Sequence, residues 1–134
     1  MSHFAEIEHT ADRAFQAHGK DLRDLFQNAA AGLARFEGWP EISSGRISRE
    51  LEIRGIDAEA LLVNWLNELL YMHERYCEAY NDFEIVEISP DHLRAHIRGE
   101  PCNEVSRKIK AVTFHDIRVV TTKDGVHATI VVDV

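Results

Sequence analysis

The stretch DLRDLFQNAAAGLARF, residues 21–36, carries the clearest structural signal in the chain. Its apolar residues recur at intervals of three and four, which places them on one face of an α-helix that packs on a core. Asp21 is a preferred N-cap residue, and the charge of Asp24 in the first turn suits the helix dipole. The pattern predicts a helix that begins after Asp21 and ends near Arg35. Its buried face consists of Leu22, Leu25, Phe26, Ala29, Ala30, Leu33 and Phe36.

A second helix is predicted from Asp57, a good N-cap residue, to about Arg75. Leucine and tryptophan side chains at helical spacing form its apolar stripe, and such a stripe is typical of core packing rather than of a ligand site. The stripe consists of Leu61, Leu62, Trp65, Leu66, Leu69 and Leu70.

Alternating apolar residues predict strands in the rest of the chain. The strands surround the helices without regular β–α–β alternation, and tight turns join the last of them. The sequence therefore predicts an α+β fold: one two-layer domain over residues 1–134, with two helices packed on a mostly antiparallel sheet. The predicted strands are residues 4–8, 12–18, 46–54, 83–89, 92–99, 108–114, 117–121 and 126–134, with a turn at Pro90-Asp91.

The composition is that of a folded protein with an acidic surface. Hydrophobic residues make up 45% and charged residues 28% of the 134 residues, so the chain can bury a core without a disulfide or structural metal. The formal net charge is −8, from 23 acidic and 15 basic residues. We expect no direct nucleic-acid binding by the chain alone, because phosphate binding needs a basic face. The charge suits a basic partner protein or bound cations.

Cys77 and Cys102 are the only cysteines, and they form no CxxC pattern. This excludes a zinc ribbon and favours two free, inert thiols in a reducing compartment. The first residues lack the build of a signal peptide, and no apolar run is long enough to span a bilayer. We therefore expect a cytoplasmic protein with no membrane association.

Motifs of a stand-alone enzyme are missing from the sequence. It contains no GxSxG elbow, no glycine-rich phosphate loop and no HExxH. His92 and His96 are four residues apart, but on a strand this spacing separates them by about 13 Å, which does not suit a helical zinc pair. Most of the histidines are interpreted as surface residues, with His9 as the exception.

The segment EHTAD, residues 8–12, places Glu8, His9 and Asp12 together at the start of the chain. An acidic turn before a strand is common, because Asp and Thr side chains bond to nearby backbone groups. By itself, the segment therefore does not distinguish a turn from a functional site.

The other end of the chain is acidic as well. Asp133 is followed only by Val134, which carries its own α-carboxylate, and the strongly β-prone strand before them indicates that this end is tied down. If Asp12 faces it, three carboxylates crowd together, which is unfavourable without a cation. Such hard oxygen donors favour Ca²⁺ or Mg²⁺. The alternative is a solvated Asp133 and a turn-forming Asp12.

Taken in order, these segments resemble the archease family over essentially the whole chain. The start and the finish are specific as a pair, although each alone is weak. The matching stretches are EHTAD at 8–12, DLRDLFQNAA at 21–30, LVNWLNELLY at 62–71, IKAVT at 109–113 and VDV at 132–134.

The resemblance implies a protein cofactor and not an enzyme with its own substrate. Archeases assist the RtcB-type RNA ligase that joins tRNA halves after intron removal, by promoting guanylylation of the ligase and its multiple turnover. The implied cofactor is a divalent metal ion, in the first place Ca²⁺, with Mg²⁺ or Mn²⁺ as alternatives. The implied metal ligands are Asp12, Asp133 and Val134.

The resemblance also implies a functional role for Lys110. From the residues alone, a solvent-facing strand lysine is the simpler interpretation of Lys110. Glu8 and His9 are expected to shape the surroundings of Asp12.

Two other functions stay open. One is a chaperone-like modulator of other RNA-processing proteins, which an acidic chain of this size could be. The other is a stand-alone metal-dependent hydrolase that uses the same acidic residues. The hydrolase needs a substrate pocket and a base near metal-bound water, and the sequence shows neither clearly.

Overall fold

The structure is a computed structural model that describes residues 4–8, 13–41 and 45–134; for residues 4–8 it describes the backbone. These ranges contain two helices and eight strands. In chain order they are β1 (Phe4–Glu8), β2 (Arg13–Gly19), α1 (Leu22–Glu37), β3 (Ile47–Arg54), α2 (Ala58–Tyr76), β4 (Glu78–Ser89), β5 (His92–Pro101), β6 (Ala111–Val112), β7 (Val119–Thr122) and β8 (Gly125–Asp133).

The strands form two antiparallel sheets. In the larger sheet β1 pairs with β2, and β2 pairs with β8 along its whole length. The other edge of β8 pairs with β7 near Gly125 and with β6 near Asp133. The smaller sheet has the order β3-β5-β4. The prediction of an α+β fold with antiparallel strands is confirmed, and the strands are divided between two sheets.

Both helices begin at the predicted caps. The Asp21 carboxylate accepts a hydrogen bond from the Asp24 N–H at 2.8 Å, and the Asp57 carboxylate accepts one from the Ala60 N–H at 2.8 Å. α1 contacts strands of both sheets, namely β2 and β4, and α2 contacts β3, β4 and β6. The predicted apolar faces therefore fill one core between the helices and the two sheets. No helix within the described ranges is long and apolar enough to cross a membrane.

The predicted strand at residues 108–114 is wrong, because only Ala111–Val112 forms a strand there. The side-chain amide of Asn67, on α2, accepts a hydrogen bond from the Val112 N–H and donates one to the Val112 carbonyl oxygen. The Ile109 N–H donates to the Glu37 carboxylate. Helix side chains thus take the place of a longer strand partner.

The boundary of β4 also differs from the prediction. β4 begins at Glu78 rather than at Phe83. Glu78, Ala79 and Tyr80 are all buried, and the register with β5 shifts after Tyr80, so the sequence shows no alternation there. The predicted Pro90-Asp91 turn is confirmed, because Ser89 pairs with His92 across it.

Candidate functional site at the C-terminal tip

The end of β8 meets the start of β2 and the segment before β6 at one edge of the larger sheet. Arg13 pairs with Val132, and Ala111 pairs with Asp133. The Lys110 N–H donates a 2.7 Å hydrogen bond to the Asp133 carbonyl oxygen. We call Lys110, Asp133 and Val134 the C-terminal tip.

The predicted anchoring of the chain end is confirmed. Val132 is fully buried and lies between strand partners on both sides, and Thr113 adds a hydrogen bond from its N–H to the Val131 carbonyl oxygen. Asp133 is exposed, and Val134 is 42% exposed. The strand therefore presents its last two residues to solvent from a fixed base.

The other predicted site residues lie at or beyond the limits of the described chain. Asp12 and His9 lie outside the described residues, and of Glu8 only the backbone is described, paired with Arg13. Arg13, which follows Asp12 in the sequence, pairs with the end of β8. The metal ligand set of Asp12, Asp133 and Val134 therefore stays a prediction.

The backbone on both sides of Lys110 is held by helix side chains. On one side, the Glu37 carboxylate at the end of α1 accepts the Ile109 N–H at 2.6 Å. On the other side, the Asn67 amide makes hydrogen bonds of 2.8 and 2.9 Å to the N–H and carbonyl of Val112. The position of Lys110 is therefore fixed, while its side chain is exposed.

Glu37 is a buried carboxyl group that the sequence interpretation missed, because the predicted helix ends near Arg35. Only 1% of the residue is exposed, and α1 extends to include it. Burial raises the pKa of Glu37, although the hydrogen bond from the Ile109 N–H acts in the opposite direction. The Ser106 hydroxyl donates to the Glu37 carbonyl oxygen at 2.8 Å, which adds a second contact between α1 and the segment before Lys110.

His73 is a further exception to the interpretation of most histidines as surface residues, because it is only 2% exposed. Its Nε2 accepts a hydrogen bond from the Ser106 N–H at 2.8 Å, so the proton of the neutral ring lies on Nδ1, 2.7 Å from the Glu78 carbonyl oxygen. The helical spacing from Leu69 and Leu70 could have identified His73 as a buried residue.

A groove of about 230 Å³ lies between α2 and the segment that ends at Lys110. Its walls are mainly polar, and Arg107 at its rim lies 3.7 Å from Glu74. Lys110 and the exposed Tyr71 also line it. The groove therefore places acidic and basic side chains beside the C-terminal tip.

The acidic oxygens of the tip suit a hard cation. The Asp133 carbonyl oxygen accepts the Lys110 N–H, so the oxygen donors left at the tip are the Asp133 carboxylate and, in the prediction, the α-carboxylate of Val134. Both are the oxygen donors that Ca²⁺ and Mg²⁺ prefer. Within the described residues, no group of three or more His, Cys, Asp or Glu side chains could hold a metal ion.

Comparison with known proteins identifies clear relatives. A model of the Archease protein family (MTH1598/TM1083) matches residues 4–134. "Protein archease" of Archaeoglobus fulgidus is 40% identical over 134 residues, covering 96% of each chain. "Protein archease" of Methanosarcina acetivorans is 37% identical, covering 96% of this chain and 93% of its own.

Two solved structures share the fold. The solution structure of Methanobacterium thermoautotrophicum protein 1598 superposes with a TM-score of 0.77 at 31% identity and covers all of both chains. A crystal structure from Thermotoga maritima, described as "an archease, possible chaperone", superposes with a TM-score of 0.70 and covers 96% of this chain and 94% of its own. At 22% identity, the second structure supports the fold alone.

Proposed function

This chain belongs to the archease family, and from that premise we propose that it is a protein cofactor of an RtcB-type RNA ligase in tRNA splicing. In this role it promotes guanylylation of the ligase and its multiple turnover. The observation that carries the proposal is the hydrogen bond from Lys110 to Asp133. It joins the two segments, residues 109–113 and 132–134, that resemble the family at this end of the chain.

The proposed metal ligands are the Asp133 carboxylate, the α-carboxylate of Val134 and Asp12. A divalent ion bound there, Ca²⁺ in the first place, would supply positive charge that neutralises phosphate oxygens during nucleotidyl transfer. The tip residues are exposed on a fixed strand end, so they can approach the active site of a partner without unfolding of the sheet.

Lys110 is proposed to contact a phosphate or an acidic group of the partner. Its ammonium group is a point charge on a flexible side chain, but its backbone is held on both sides by Glu37 and Asn67. The formal net charge of −8 favours docking onto a basic protein surface over direct RNA binding.

The test is a ligation assay in which the RNA substrate is in excess over the cognate ligase, so that each ligase molecule can turn over more than once. Guanylylation of the ligase and the number of ligations per ligase are followed with and without the wild-type chain. We expect both to rise with the wild-type chain and to fall with Lys110→Ala.

The matched control is Lys123→Ala. Lys123 is an exposed lysine in the turn between β7 and β8, at the opposite end of β8 from the tip. Its replacement removes the same charge, so it should leave stimulation unchanged. Equal loss of stimulation with both variants would mean that overall charge matters and not the tip; unchanged turnover with the wild-type chain would refute the proposed function.

A second candidate is a chaperone-like modulator of RNA-processing proteins, which the description of the Thermotoga maritima structure as a "possible chaperone" favours. The two functions separate in an aggregation assay with heat-unfolded proteins unrelated to the ligase. A chaperone-like protein suppresses their aggregation, and Lys110→Ala does not abolish the effect. A dedicated ligase cofactor leaves aggregation unchanged.

A further inference from the structure

The two cysteines are neighbours in the fold, although they lie 25 residues apart in the sequence. Cys77 follows the last residue of α2, and Cys102 follows the last residue of β5. Their Sγ atoms lie 3.0 Å apart, about 1 Å more than the length of a disulfide bond. The Cys77 thiol also donates to the Cys102 carbonyl oxygen at 2.9 Å.

The backbone around this pair is fixed. The Cys102 N–H donates a 2.9 Å hydrogen bond to the Cys77 carbonyl oxygen. Glu78, the next residue, is buried, and its carboxylate accepts two hydrogen bonds from Arg49, at 2.6 and 2.9 Å, and one from the Tyr80 hydroxyl at 2.7 Å. Joining the sulfur atoms therefore needs only a small side-chain movement.

The conformation of Cys77 is a second, independent observation. Cys77 ends α2 in the left-handed region, with φ 51° and ψ 58°. Glycine and asparagine are the usual residues at this helix position, because other side chains crowd the backbone there. A cysteine in a conformation that favours glycine indicates that the thiol side chain itself has a use.

We propose that Cys77 and Cys102 form a reversible disulfide, which makes the end of α2 an oxidation-sensitive modification site. The oxidant is a low-molecular-weight disulfide of the glutathione type. The Cys77 thiolate attacks one sulfur of that disulfide and releases one small thiolate, which leaves a mixed disulfide on Cys77.

The Cys102 thiolate then attacks the Cys77 sulfur and releases the second small thiolate. The protons from the two protein thiols end on the two released thiols. The protein therefore loses two hydrogens, and one small disulfide is reduced to two thiols.

The thiol chemistry sets a pH dependence for this reaction. Burial, together with the neighbouring Cys77 thiol, raises the pKa of Cys102 to about 11. Because the thiolate is the reactive form and burial disfavours it, ring closure by Cys102 should accelerate as the pH rises.

Closure would add a covalent anchor to the segment that carries Lys110. Residues 102–110 are already held where His73 accepts the Ser106 N–H and where Glu37 accepts the Ile109 N–H. The disulfide would fix the first residue of that segment to the end of α2, and it would enclose the β4–β5 hairpin in a covalent loop. We expect the oxidised chain to have a higher Tm than the reduced chain, by about 5 °C or more.

The test exposes the folded chain to oxidised glutathione at several ratios to reduced glutathione, followed by alkylation of the remaining thiols and intact-mass measurement. We expect a monomer that has lost about 2 Da and both alkylatable thiols, and that regains them with dithiothreitol. Cys77→Ser and Cys102→Ser should each stop at a mixed disulfide with glutathione or remain reduced.

The wild-type chain alone can overturn the proposal, whatever the stability of the variants. Both thiols remaining alkylatable under conditions that oxidise the urea-unfolded chain would contradict it. So would a stable mixed disulfide in the wild-type chain, or disulfide-linked dimers as the main product. An oxidised chain with an unchanged Tm would contradict the proposed anchoring.

Discussion

Replacing Asn67 by alanine should destabilise the chain far more than the same replacement of Asn64, which lies on the same helix. Asn67→Ala removes two hydrogen bonds, at 2.8 and 2.9 Å, and leaves the N–H and carbonyl of the buried Val112 without their side-chain partner. Each buried unsatisfied group costs about 1–3 kcal/mol, and these two hydrogen bonds are only partly buried, so the free energy of unfolding should fall by about 2–4 kcal/mol. For a chain of this length, that corresponds to a fall in Tm of about 10 °C.

Asn64→Ala is the control. The Asn64 amide donates one hydrogen bond, at 2.8 Å, to the exposed Arg54 carbonyl oxygen, which water can satisfy instead. Its loss should cost about 1 kcal/mol or less. Both replacements gain the same helix propensity, so the difference between them isolates the contact with Val112.

The assay is urea unfolding followed by circular dichroism, with amide hydrogen exchange at Val112 as the local measurement. We expect Asn67→Ala to accelerate exchange at Val112 and to weaken ligase stimulation through the loosened Lys110. Equal free energies of unfolding for Asn67→Ala and Asn64→Ala, with unchanged exchange at Val112, would refute the inference that α2 fixes this segment.

Three further predictions concern charge and metal binding. Burial raises the pKa of Glu37, so the stability that protonated Glu37 contributes is fully present below pH 4.5 and is lost as the pH rises through the raised pKa. The free energy of unfolding of Glu37→Gln, measured in urea, should therefore rise relative to that of wild type over this pH range. A difference between the two that does not change with pH would contradict this. Asp12→Ala should abolish Ca²⁺ binding in calorimetric titration, and it should change the free energy of unfolding of the metal-free chain by less than about 1 kcal/mol. Lys110→Ala should bind Ca²⁺ like wild type. Wild-type Ca²⁺ binding by Asp12→Ala would contradict the ligand assignment. A C-terminal tag turns the α-carboxylate of Val134 into an amide and should weaken Ca²⁺ binding, unlike an N-terminal tag; equal affinities of the two tagged forms would count against the terminal ligand.

Features with local causes could be predicted from the sequence. Asp21 and Asp57 cap the helices through residues three positions away, so a short stretch of sequence contains both partners. The apolar faces of the helices and the anchored end of β8 follow from periodicity and β-propensity in the same way.

Features that depend on distant partners could not be predicted. The Glu37 carboxylate meets the Ile109 N–H across 72 residues, and the Asn67 amide replaces a strand partner for Val112 across 45. No local pattern records such contacts, so residues 108–114 were predicted as a longer strand than the structure contains. The pairing of Cys77 with Cys102 likewise depends on how the β4–β5 hairpin closes.

In the candidate site, too, the sequence identifies residues but not the contacts between distant segments. Lys110 was selected through the resemblance of its segment to a family, and Asp133 first through its acidic place at the end of a β-prone strand; neither argument gives a distance between them. Their hydrogen bond follows from the pairing of β6 with β8, which only the fold supplies.

The central claim, that the C-terminal tip makes this chain a ligase cofactor, is tested most directly by multiple-turnover ligation with a chain that lacks Asp133 and Val134. The matched control is Val134→Ala, which keeps the α-carboxylate and the Asp133 side chain. We expect the truncated chain to lose stimulation, because it loses two oxygen donors at once, and Val134→Ala to stimulate like wild type. Wild-type stimulation by a folded truncated chain would contradict the claim.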